Sequence, residues 1–224
     1  MQLDFSTLAP QDAYRWLTST VTPRPIAWVS TCSSGGVSNL APFSFFQVIS
    51  SEPPTLLINV GLKNGQPKDT ARNAQETGEL VVQLVSAEQA EAMNASAAAL
   101  AHGLSEFEHC GIASEPSRLV AVPRVIGAPV AFECRVAQIL PYPAQSPNCQ
   151  LIFAEVLVAH IDDAVLDERG RVDAARLDLV GRLGGAVHLQ RHAGRRRRAF
   201  VVGVPPRQAP GVRGPRCPCH WPRG

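Results

Sequence analysis

Five polar residues interrupt an apolar, strand-rich stretch early in this 224-residue chain: Arg24, Ser30, Thr31, Asn39 and Ser44. Burying such groups costs free energy unless each finds a partner, so their position beside Trp28, Phe43, Phe45 and Phe46 invites a chemical explanation. Hydroxyls and an amide next to aromatic rings suit a flat heteroaromatic ligand, whose faces meet apolar surface and whose edge meets hydrogen-bonding groups. The same residues would serve equally as caps of strands and turns, and spacing alone leaves both readings open. Further on, Pro67-Lys68-Asp69-Thr70 stands where a turn leads into a helix. Unpaired backbone N–H groups, the positive end of the helix dipole, the Thr70 hydroxyl and the Lys68 ammonium would converge there on an anion. An ordinary solvated first turn, with Asp69 favouring the dipole, has the same composition. A ring site followed by an anion site is what a mononucleotide cofactor requires.

Other chemistries lack their signatures. The chain has no Gly-x-Ser-x-Gly elbow, no His-Glu-x-x-His, no Gly-x-Gly-x-x-Gly and no phosphate loop ending in Gly-Lys-Ser/Thr. His102, His109, His160 and His188 are scattered and read as surface or internally satisfied histidines. Glu106-Phe107-Glu108, if extended, would point its two acids to opposite faces. Cys32, Cys110, Cys134 and Cys149 are dispersed and read as reduced thiols, and Cys217-Pro-Cys219-His220 lacks a second ligand pair at zinc spacing, so no metal is expected.

Charge is unevenly spread. Residues 1–192 carry 13 Lys and Arg against 19 Asp and Glu, a balance of −6, whereas residues 193–224 carry eight Arg and no acid. A nucleic-acid reading would rest wholly on that tail and is not favoured. Its Arg, Pro and Gly content predicts disorder, which sets the domain at 1–192 and the tail at 193–224. The longest apolar runs fall far short of the roughly 20 residues of a membrane-spanning helix. The N-terminus lacks a basic region followed by an apolar stretch, so a cytoplasmic address is expected.

The elements that must position these groups are mostly strands. Residues 26–32, 44–49 and 55–61 are rich in β-branched and aromatic side chains and are separated by turn sequences, giving three or four opening strands. Residues 13–20 predict a short helix, residues 68–77 a second one stopped by Gly78, and residues 79–85 another strand. Ser86-Ala87-Glu88-Gln89 has the pattern of a capping box and predicts a helix to about Ala101. Residues 129–140 and 150–161 read as a long antiparallel pair. The pattern predicts a mainly β fold, a barrel with two or three peripheral helices.

Taken together, the strings TPRPIAWVST, SNLAPFSFFQVISSEPPTLLINVG, KDTARNAQETGELVVQLVS, PVAFECRVAQIL and GRLGG resemble the flavin reductase-like, FMN-binding split-barrel family. That family includes flavoredoxin and the reductase components of two-component monooxygenases. The resemblance runs over residues 13–185 in family order. It implies a six-stranded Greek-key split β-barrel that binds FMN near a homodimer interface. By motif position, Trp28, Val29, Ser30 and Thr31 would line the flavin, and Asn39, Leu40, Ala41, Pro42, Phe43, Ser44 and Phe45 would surround its ring and ribityl chain. Lys68, Asp69 and Thr70 would hold the phosphate, with Arg24 as a second charge near the phosphate or ribityl group. Arg182 to Gly185 would pack near the cofactor or the partner subunit.

The implied activity is an NAD(P)H-dependent flavin reductase, with a monooxygenase component as a possible recipient of reduced flavin. The alternative is an FMN-containing electron carrier that passes electrons to a protein partner. In either case the cofactor carries the chemistry, so no protein residue is expected to be catalytic, in keeping with the absence of a triad. Gln83 departs from the family, which usually has Asn in that strand, and the extra methylene changes reach but not chemistry.

Overall fold

The computed structural model describes residues 1–184 and the backbone of two later strands. Its five helices are α1 (Pro10–Thr20), α2 (Asp69–Thr77), α3 (Ala90–Ala95), α4 (Glu106–Cys110) and α5 (Ala174–Leu177). The strands run β1 (Arg24–Pro25), β2 (Ala27–Cys32), β3 (Ser38–Phe43), β4 (Phe46–Ser51), β5 (Pro54–Gly61), β6 (Glu79–Leu84), β7 (Ser114–Glu115) and β8 (Arg124–Val125). They continue as β9 (Val130–Tyr142), β10 (Cys149–Ile161), β11 (Val180–Arg182), β12 (His188–Arg191) and β13 (Ala199–Val201). Apart from β13, the 193–224 tail and its expected disorder lie outside the described residues. No helix among the described residues is long and apolar enough to cross a membrane.

Seven antiparallel strands form the main sheet in the order β3-β2-β6-β9-β10-β5-β4, one more than the six implied. Its two edges, β3 and β4, are consecutive in sequence and joined only by Ser44-Phe45, so the sheet curls until its edges meet. They share no ladder; instead the Asn59 N–H of β5 donates to the Phe45 carbonyl at 2.9 Å. The curled sheet encloses a core of Ala27, Val29, Phe43, Ile58, Leu80, Val82 and Ile152, into which α2 inserts Ala71 and Ala74. Alanines there let the helix approach closely, and Gly78 ends it in the left-handed conformation (φ 72°) that glycine adopts without strain. The long antiparallel pair is β9–β10, 13 residues in each strand.

Several local expectations change. Residues 38–43 form a strand, and Ser44 and Phe45 lie in the link after it. Asn39 and Pro42 are poor strand formers, but β3 is an edge, where a missing N–H breaks no ladder. The capping box does not form: Ser86 bridges Leu179, and α3 starts after Gln89 with no side-chain cap. That helix ends at Ala95, well before Ala101. Ser96 folds back, its hydroxyl donating to the Met93 carbonyl at 2.7 Å and accepting the Trp28 indole N–H at 2.9 Å. Glu106 and Glu108 sit on a helix, not a strand, and Glu106 is buried.

A connecting loop is fastened to the sheet by polar side chains. Glu133, fully buried on β9, accepts the Arg118 and Leu119 N–H groups at 2.7 and 2.6 Å and contacts His160 Nε2 at 2.5 Å. Burial works against the Glu133 carboxylate, but these donors outweigh it and hold its pKa below the usual range. Gln83 uses its extra reach here, its amide N–H2 donating to the Trp28 carbonyl and its oxygen accepting the Val125 N–H at 3.2 Å.

Candidate functional site

The ladder of α2 begins with Ala71 and Arg72, whose N–H groups both donate to the Lys68 carbonyl at 3.0 Å. The Asp69 and Thr70 N–H groups therefore project from the helix end without an intrahelical acceptor, and no side chain caps them. Lys68 stands beside them, its ammonium 5.7 Å from the centre of the Phe43 ring and in no ion pair among the described residues. Although the residue is exposed overall, packed protein around the ammonium desolvates it and Lys63 repels it, which lowers its pKa from the ordinary lysine value.

Two side-chain bonds lock this helix to the β2–β3 hairpin. Asn39 donates to the Thr70 hydroxyl at 3.0 Å, and Asn73 donates to the Thr31 hydroxyl at 3.1 Å. Behind them Glu106 accepts the outward Leu40 N–H at 2.9 Å and so covers the open edge of β3. Burial pushes the Glu106 carboxyl pKa up, only partly offset by that bond.

The second feature is a cavity of about 350 Å³ between the end of α1 and the link into β4, lined by Leu17, Val21, Pro23, Arg24, Ser44, Phe45 and their neighbours. Its volume is within the range of small-molecule sites. The Arg24 guanidinium lies 5.9 Å from the Phe45 ring centre and donates to the carbonyls of Thr18 and Val21, both at 2.7 Å, and of Leu183 at 3.2 Å. It thus satisfies the carbonyl end of α1, and its buried Nε–H has no partner among the described residues. The Gly-Arg-Leu-Gly segment packs here as well, with β11 paired to β1 and Gly184 against α1. A Cβ on Gly184 would lie 2.8 Å from Ser19 Cα, a contact no side chain tolerates.

The fifteen residues singled out in the sequence divide into frame and rim. Trp28, Val29, Ser30, Thr31 and Leu40 are fully buried and Phe43 nearly so. The Trp28 ring lies in a second core with Leu40, Val85 and Met93. Ser30 is spent, donating to the Pro123 carbonyl at 2.7 Å. Asn39 and Thr70 join frame to helix. Surface remains to Ala41, Pro42, Ser44, Phe45, Lys68 and Asp69, and slightly to Arg24. Asp69 turns to other partners: its Oδ1 accepts from Arg72 at 2.9 Å and from His102 at 2.7 Å. Sequence reading named His102 as a surface or internally satisfied histidine and Glu106 as one of two acids on opposite faces, gave neither a place at the site, and did not single out Arg72.

Known proteins are similar to this chain in sequence and fold. The family model described as the flavin reductase like domain matches residues 19–178. An uncharacterized protein of Deinococcus radiodurans is 46% identical over 187 residues, covering 80% of this chain and 81% of its own. The crystal structure of nitrilotriacetate monooxygenase component B from Bacillus cereus superposes with a TM-score of 0.82 at 31% identity, covering 87% of this chain and 96% of that one. The 2-nitrobenzoate 2-nitroreductase of Pseudomonas fluorescens superposes with a TM-score of 0.76 at 30% identity, over 95% of this chain and 100% of that one. The curled sheet is a split barrel, and a match extending from the end of α1 to α5 makes this chain a member of the flavin reductase-like family.

Proposed function

We propose that this protein binds FMN and is an NAD(P)H-dependent flavin reductase. The observation that carries the reading is the uncapped start of α2, where two backbone N–H groups and a lysine without an ion pair among the described residues stand over Phe43, two residues along the chain from Phe45 of an aromatic-lined cavity. Those donors fit a phosphate, and the cavity fits a planar ring. Phe43 under Lys68 and Phe45 under Arg24 connect the two.

Lys68, the Thr70 hydroxyl and the α2 N–H groups would hold the phosphate; Asn39 would keep Thr70 in place; Ala41, Pro42, Ser44 and Phe45 would contact the ring and ribityl chain. When bound, the flavin supplies the redox chemistry, accepting hydride from a reduced nicotinamide. The protein's part is to orient donor and acceptor and to exclude water, which in favourable systems lowers a barrier by about 7–11 kcal/mol. We take residues 1–192 as the flavin-binding domain. Tyr14 and Val21 on and beside α1, with Phe45 and Val48 at the β4 edge, form an apolar surface at the cavity mouth that a second copy would cover, which supports a homodimer. The likeness to a monooxygenase component supports delivery of reduced flavin to a separate oxygenase.

The test is the visible spectrum of the desalted protein, followed by FMN titration and steady-state oxidation of NADH and NADPH. Retained yellow flavin with rapid nicotinamide oxidation is expected. A folded, colourless protein with no FMN affinity overturns the reading. Bound flavin without nicotinamide oxidation points to an electron carrier instead.

A further inference from the structure

We propose that Glu106 is a positioning residue for the flavin site: from outside the sheet its carboxylate fixes the edge strand β3, and through β3 the Asn39 amide that holds Thr70. This rests on the FMN reading above, in which Lys68 to Thr70 are the phosphate seat, and adds a residue that touches no ligand.

β3 is an edge of the main sheet, with β2 on one side and no strand on the other. Its outward backbone groups need partners from elsewhere. α4 supplies one. Ser105 stands at the cap of that helix and Glu106 opens it, places where a hydroxyl and a carboxylate ordinarily serve their own helix start. Here the Ser105 hydroxyl caps nothing and pairs with the Ser38 hydroxyl at 2.9 Å, while Glu106 Oε2 accepts the Leu40 N–H at 2.9 Å. The two contacts bracket Asn39 in the chain.

Successive residues of a strand face opposite ways, so Leu40 enters the second core with Trp28 and Phe107 while Ala41 and Phe43 pack on the barrel core. Asn39 shares the side of Ala41 and Phe43 and donates to the Thr70 hydroxyl at 3.0 Å. The backbone of residues 38–40 is thus held between α4 outside and α2 inside. α4 is itself anchored away from the site, by Phe107 in the second core and by Gly111, which ends it in the left-handed conformation (φ 63°). Glu106 is 6% exposed and makes no ion pair among the described residues. A buried carboxylate without a cation costs free energy that an apolar side chain would not. What it secures is the position of β3.

The experiment is calorimetric titration of the flavin-stripped full-length protein with FMN, with melting temperatures taken on the same samples. Glu106→Leu removes the acceptor and should weaken FMN binding about tenfold, the order expected for one orphaned buried donor. Glu106→Gln keeps an oxygen for the Leu40 N–H and should recover most of that loss. Because the effect runs through Asn39, Asn39→Ala should also weaken binding about tenfold, and adding Glu106→Leu to it should cost less than about twofold more. Should Glu106→Leu fail to fold, Ser105→Ala, which removes the Ser38 contact, takes its place, with a loss of about threefold and the same non-additivity. A folded wild type without FMN affinity overturns the flavin reading and this proposal with it. With FMN bound by the wild type, full affinity in Glu106→Leu, no recovery in Glu106→Gln, or losses that add in full with Asn39→Ala each overturn the role of Glu106 and leave the flavin reading standing.

Discussion

At the start of α2 the polar side chains of two strands are spent on the helix, Asn39 on Thr70 and Thr31 on Asn73, and all four residues are buried. At the cavity between α1 and β4 the walls are apolar, Phe45 is 43% exposed, and the one strong polar group, Arg24, is occupied with backbone carbonyls. The first region is rigid before any ligand arrives because its hydrogen bonds are already made inside the protein. The second is tied to backbone carbonyls by Arg24, is otherwise held by packing, and leaves apolar surface open. A two-ended ligand would be anchored at the polar end and adjusted at the apolar end. The following changes break or sharpen that contrast.

The largest effect is expected from Thr70→Val, which keeps shape but leaves the buried Asn39 amide without its acceptor. It should cost about 1–3 kcal/mol in a denaturant titration and weaken FMN binding as well. Next, Gly184→Ala forces a Cβ onto Ser19 and should cost about 1–2 kcal/mol, read as a lowered melting temperature, by levering α1 away from β11. Phe45→Ser lies on the open side. Its stability change should stay within about 0.5 kcal/mol, while sedimentation equilibrium shows weaker self-association and titration shows weaker flavin binding. A stability loss as large as that of Thr70→Val would erase the distinction between the regions.

The smallest effect concerns Glu106, behind the seat. Its folded pKa is raised, so the native state holds the proton over a window that opens near the unfolded value and closes at the folded one. Stability should fall as pH rises through that window, and Glu106→Gln should remove this component from melting curves collected across it. Glu133 has the opposite sign: its folded pKa is lowered, so its contribution is present above the unfolded value and is lost as pH falls through the folded one.

Much of the frame was legible in the residues. The β9–β10 pair, β6, and α2 with its Gly78 stop follow from periodicity and turn chemistry, which act within a few residues along the chain. The edge strand β3 was hidden because Asn39 and Pro42 argue against a strand, and only its place at the sheet edge removes the objection. The candidate site was half legible. The Lys68-Asp69-Thr70 turn and the Phe43–Phe45 stretch stood out, but Trp28 was expected beside a ligand and is in the core against Ser96. Nothing in local spacing reveals which face of β2 meets the barrel interior and which meets α3.

By itself, then, the sequence determined the strand-rich architecture, the start and stop of α2, and the pairing of an aromatic stretch with a cationic turn, since each depends on neighbours close in the chain. The tertiary structure alone decided that Glu106 seals the edge of β3, that His102 reaches Asp69 across 33 residues, and that Arg24 caps α1 beside a cavity. Those contacts join segments whose separation in sequence carries no record of their meeting. They form only when the sheet curls and brings its two edges together.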